Sequence, residues 1–204
     1  MSEAWGMNWE DARAQVEDAF GDRKDFGVEF CNCGVGAHEW LEHALGQTQM
    51  AVLESLDDPG DLRDSYDYER YTSLRAAANS HFAYGHKLIL ARTGEELLGA
   101  ASFLIDFTST WQFKEELRRM EHLLEVSELG TTGAVKGVGK ELMMWLGAVA
   151  ALRGQEVSVL AGEGSERFYE KLGMSTLDPE MEASRYLWRK KDLPALGHDV
   201  SLPD

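Results

Sequence analysis

The chain has 204 residues, 44% of them hydrophobic and 27% charged, which suits a single soluble globular core of ordinary composition. Its net charge of −16 argues against a phosphate-tracking surface, so no nucleic acid is expected as a partner. The acidic field favours basic ligands instead, such as amines, polyamines or lysine-rich peptides.

In chain order, residues 4–20 form an amphipathic pattern with Trp9, Ala12, Val16 and Phe20 on one face. No basic region precedes an apolar run there, so a signal peptide is not expected. Phe26, Val28 and Phe30 alternate as in a strand. Helical patterns follow from His38 to about Leu56 and from about Tyr68 to Tyr84, the second closed by Gly85. Residues 87–93 and 97–105 read as a hairpin turning near Gly94. Residues 111–120 (WQFKEELRRM) read as a short helix or a loop, and 121–129 as a further strand. A glycine- and threonine-rich loop then leads into a helix with Val138, Leu142, Trp145, Leu146, Val149 and Leu152 at helical spacing, ended by Gly154. A strand (156–162), a short helix (165–173) and a last strand (184–190) complete the chain.

This order predicts one mixed α/β (α+β) domain over 26–190, preceded by an N-terminal helical extension (1–25) and followed by a tail (191–204). The extension's two tryptophans leave two arrangements open, a homodimer contact or packing in cis on a monomer. The longest apolar stretch, 142–152, falls short of the roughly 20 residues that cross a bilayer. No membrane contact and a cytoplasmic location are therefore expected.

The segment CNCGVGAHEWLEH (31–43) invites a metal or thiol reading. Cys31 and Cys33 are too close for an ordinary zinc pair, and no second cysteine pair exists. His38 and His43 are five apart, so on one helix their rings diverge, whereas the zincin motif needs a spacing of four. No metal is expected, and a protein built around metal at this segment is the reading that bound zinc would revive.

The chemistry lies in LLEVSELGTTGAVKGVGKELM (123–143), a strand, a glycine loop and a helix start. Backbone N–H groups at such a junction suit an anion. Two phosphate motifs fail. A Walker A loop would need glycine at Ala134 and a hydroxyl at Glu141, and a dinucleotide fingerprint would need glycine at Leu142.

The loop AVKGVG (134–139) resembles the acyl-CoA signature [Q/R]-x-x-G-x-[G/A] of the GNAT superfamily of N-acyltransferases. RFYEKLGM (167–174) is similar to that family's F-Y-x-x-x-G-F segment, at the usual separation. The resemblance covers residues 26–190 and departs from the pattern at Ala134 (Gln or Arg), Gly162 (often Asn) and Met174 (usually Phe). It implies a splayed mixed sheet of six to seven strands flanked by helices, with acetyl-CoA as co-substrate.

The resemblance further implies that the pantetheine arm pairs with the edge of the fourth strand at Ser127, Glu128 and Leu129. The pyrophosphate would lie on Val135, Lys136, Gly137, Val138, Gly139 and Lys140. The expected reaction moves an acetyl group from acetyl-CoA to a primary amine, on a small molecule or a protein, by direct attack in a ternary complex. Leu129 N–H would hold the thioester oxygen and Tyr169 would protonate the departing thiolate. Glu125 or Glu128, with Glu121 and His122 nearby, would take the ammonium proton. Strand alternation puts Glu125 and Glu128 on opposite faces, so at most one serves. Acceptor choice is expected from residues 31–85 and 104–122, whose Trp40, Asp64, Tyr66, Asp67, Tyr68, Glu69 and Trp111 are either amine-binding or plain surface. The competing function is a catalytically inactive acyl-CoA-binding interaction module.

Overall fold

The computed structural model describes residues 26–31, 35–54, 66–94, 96–113, 116–162, 164–177 and 184–193. The expected extension over 1–25 and the tail beyond Leu193 lie outside the described residues. The elements are β1 (Gly27–Phe30), α1 (Val35–Glu54), α2 (Tyr66–Tyr84), β2 (Lys87–Thr93), β3 (Glu96–Phe113), β4 (Glu116–Thr131), α3 (Val138–Arg153), β5 (Glu156–Leu160), α4 (Glu166–Lys171), β6 (Ser175–Thr176) and β7 (Arg185–Trp188). The strands form a seven-stranded mixed sheet in the order β1-β2-β3-β4-β5-β7-β6. The mixed α/β class and the strand number match the sequence expectation.

One segment is corrected. Residues 111–113 and 116–120 are not helical; they extend β3 and β4. Glu, Leu and Arg favour helix only weakly, and here the ladder of two long neighbouring strands overrides that preference. The two-residue strand β6 was also not anticipated.

The described residues fall into two compact units. One contains those up to Leu104 together with Val126–Leu142. Its core sets Leu41, Ala44 and Leu45 of α1 and Leu74, Ala77 and Ala78 of α2 against Leu88 and Leu90 of β2 and Leu97 and Ala100 of β3. The helical residues recur at intervals of three and four, which gathers them on one stripe. β1 and β3 flank β2 in antiparallel ladders, and Gly94, in the left-handed region at φ 55°, turns the β2–β3 hairpin.

Two glycines of this unit permit close approach. A Cβ on Gly130 of β4 would meet the backbone of α2 at Leu74 N and, 2.7 Å away, at Ser73 C. A Cβ on Gly99 of β3 would lie 2.6 Å from Val138 Cγ1 and 3.1 Å from Leu142 Cδ1, at the start of α3.

The other unit contains Ile105–Glu125 and the described residues from Met143 onward. β7 pairs antiparallel with β5 on one side and β6 on the other. Helix α3 departs from the expected single apolar stripe: every residue over 142–150 is buried, and only Leu152 is exposed among its large apolar residues. Met143, Met144, Gly147, Ala148 and Ala150 are apolar or small, so this stretch has no polar face to turn toward water. β3 and β4 each hold one non-glycine residue in the left-handed region, Asp106 (φ 52°) and His122 (φ 57°). The Asp106 carboxylate accepts bonds from Arg153 at 2.7 Å and Gln155 at 2.6 Å, which fixes this departure from extended backbone.

Candidate active site

Strand β4 ends at Thr131, and the chain is caught at once by β3: Thr132 N–H donates to Leu98 O at 2.9 Å. The Thr132 hydroxyl accepts from Ala134 N–H at 3.3 Å. Gly133 (φ 78°) and Gly137 (φ 91°) adopt backbone that other residues rarely reach, and this lets six residues turn a strand into a helix. The first helical bond of α3 runs from Glu141 N–H to Gly137 O at 3.0 Å. The N–H groups of Val138, Gly139 and Lys140 therefore precede any intrahelical acceptor, as at every helix start. Lys136 is exposed and Lys140 half-buried at this end, while Val138 is buried against Gly99 and anchors it. The segment 135–140 so combines orphan donors, the positive end of the α3 dipole and two ammonium groups, an arrangement suited to a phosphate.

Ser127, Glu128 and Leu129 are half-buried on β4, directly ahead of this loop. Burial raises the Glu128 carboxyl above the usual carboxylate range. Glu125 differs sharply. It is buried, and both its oxygens accept bonds from Arg185 Nη1, at 2.7 and 2.8 Å. The same nitrogen donates to the buried Ser158 hydroxyl at 2.7 Å. Of the other acidic and imidazole candidates, Glu121 pairs with Arg119 at 2.7 Å and the exposed His122 lies 4.0 Å from Asp106.

Tyr169 is buried on α4, in the other unit from the loop. Its ring packs edge-on against Phe168, centroids 5.0 Å apart, and tilted against Tyr186 at 5.6 Å. Gly173 (φ 75°) ends the helix so that Met174 N–H returns to Tyr169 O at 3.1 Å, and the buried Trp188 indole donates to Leu172 O at 2.9 Å. The Tyr186 hydroxyl donates to Glu170 at 3.3 Å; burial first, then Glu170 and Glu166, hold its ionisation above the usual phenol range.

Of the residues expected to choose an acceptor, Trp40 has one ring face covered by the chain's own Arg92, whose guanidinium lies 5.3 Å from the ring centroid and pairs with Glu29 at 2.6 Å. Asp64, and the side chains of Tyr66, Asp67, Tyr68, Glu69 and Trp111, lie outside what is described. Cys31 packs partly buried on the core of α1, α2 and β2, its N–H bonded to Leu88 O at 2.9 Å. Cys33 and the side chain of His38 lie outside the described residues, among which no group of three or more His, Cys, Asp or Glu side chains converges as a metal site.

Neither Arg185 nor Ser158 stood out in the sequence, nor did Gly99 or Gly130. Arg185 and Glu125 are 60 residues apart, and no local spacing joins them.

No known family's sequence profile matches the chain, and no curated protein matches it in sequence. Solved structures do. A tyrosine-to-phenylalanine variant of the toxin AtaT shares 14% identity at a TM-score of 0.53, over 85% of this chain and 94% of that one. The same toxin bound to the C-terminus of the antitoxin AtaR and acetyl-CoA gives 0.51 at 14% identity, over 83% and 96%. Without acetyl-CoA that complex gives 0.51 at 13%, over 83% and 95%. The fold is thus similar to that of a toxin whose structure has been solved with acetyl-CoA. At these identities the likeness is one of fold. No helix among the described residues is long and apolar enough to cross a membrane.

Proposed function

We propose that the protein is an acetyl-CoA-dependent N-acetyltransferase acting on a primary amine. The observation that carries this reading is the junction of β4 and α3, where N–H groups without intrahelical acceptors, left-handed Gly137 and two lysines share one end of α3. Acetyl-CoA would lie with its pyrophosphate on 135–140 and its pantetheine along Ser127, Glu128 and Leu129.

In the reaction the amine lone pair attacks the thioester carbonyl carbon, and the oxygen takes up negative charge beside Leu129 N–H. The C–S bond breaks, and the thiolate takes the Tyr169 phenol proton. Glu128, directly or through water, removes the proton from the attacking ammonium. Desolvation makes Glu128 a stronger base than an exposed carboxylate, whereas both oxygens of Glu125 are already committed to Arg185. Glu128 is therefore the base in this reading.

Tyr169→Phe tests it. An enzyme loses turnover by about 100-fold or more while its acetyl-CoA affinity persists. Wild-type protein that binds acetyl-CoA but turns over no amine would establish the alternative, an acyl-CoA-binding interaction module.

A further inference from the structure

The Glu125–Arg185–Ser158 cluster has no part in the chemistry above, yet it joins three neighbouring strands, β4, β5 and β7. The side chains of Glu125 and Arg185 are only 11% and 16% exposed. Taking both charges out of water is costly, and apolar residues of similar volume often replace such a pair without loss of stability. Stability alone therefore gives little reason to have it here.

Its position suggests another reason. Along β7, Arg185 immediately precedes Tyr186, whose ring lies against Tyr169 with centroids 5.6 Å apart. The ion pair thus anchors the strand that backs the acid.

We propose that the Glu125–Arg185 pair, with Ser158, is a positioning device for acetyl transfer, setting the Tyr169 phenol through Tyr186 without touching the thioester. This rests on the acetyltransferase reading. Misplacing a phenol by a fraction of an ångström slows a reaction while leaving cofactor affinity nearly intact, because pyrophosphate and pantetheine are assigned to other residues.

The test is the Glu125→Met/Arg185→Met double variant, which removes both charges while keeping unbranched side chains of similar reach. Turnover is read as CoA release from acetyl-CoA with hydroxylamine, a small nucleophile that needs no acceptor pocket, after subtracting the uncatalysed rate. Acetyl-CoA affinity and Tm are measured alongside. The proposal expects Tm preserved, affinity within about threefold of wild type, and turnover down about tenfold or more. Unchanged turnover, or a loss matched by an equal loss of affinity, overturns it. Should the double variant fail to fold, Glu125→Gln replaces it, with turnover expected to fall at unchanged affinity and unchanged turnover again overturning the proposal. Wild-type protein that binds acetyl-CoA yet gives no rate above background would refute the acetyltransferase reading itself, and the positioning role with it.

Discussion

Strand β4 is held in two contrasting ways within five residues. At Gly130 it is fixed by the absence of a side chain, because the backbone of α2 at Ser73 and Leu74 occupies the space a Cβ would take. At Glu125 it is fixed by charge, through the bonds from Arg185. The first contact admits no substitute, since backbone cannot step aside. The second admits an apolar replacement that packs as well but carries no directional information. The strand is thus held by shape at Gly130 and by directional bonds at Glu125.

The comparison breaks most visibly at Gly130. Gly130→Val should destabilise by about 3 kcal/mol or more, because helix and strand backbones must separate. Chemical denaturation would show this as a lower midpoint, and a neutral result would mean that α2 is not tightly seated. Arg185→Met alone should cost about 2–3 kcal/mol by stranding the buried Glu125 charge. The double variant with Glu125→Met should recover most of that, and failure to recover would show the pair to be structural in its own right. Gly99→Ala should cost less, about 1–2 kcal/mol, since the clash is with the Val138 and Leu142 side chains, which can yield.

The smallest effect belongs to Glu128. Its folded-state pKa lies above the unfolded one, so the folded form holds the proton more tightly and stability falls as pH rises through that window. Glu128→Gln should therefore raise Tm at neutral pH by about 1–2 °C, with no gain once both states are protonated in acid. The same variant should lose turnover, so stability and activity move in opposite directions.

The contrast also marks what was legible in the sequence. Elements with a local signature were readable: the hairpin from its alternation and Gly94, the loop from its glycines, α4 from RFYEKLG. Residues 111–120 misled because Glu, Leu and Arg carry a helical preference that a long β-ladder overrides. Glu125 read as a candidate base because the sequence gives no sign of an arginine 60 residues onward. The tight seats at Gly99 and Gly130 were invisible for a related reason, since a glycine in a strand does not announce what packs over it. Local chemistry was readable; partners brought together by topology were not.

The central claim is that the β4–α3 junction holds acetyl-CoA, and titration calorimetry of the purified protein tests it most directly. Wild type should bind with micromolar affinity. Gly137→Glu, checked for an intact Tm, should bind far more weakly, because it strains a left-handed position and sets a negative charge against the phosphate. Ala134→Arg, at an exposed position, should bind more tightly. Absence of binding at millimolar acetyl-CoA, or equal binding by all three proteins, would contradict the account.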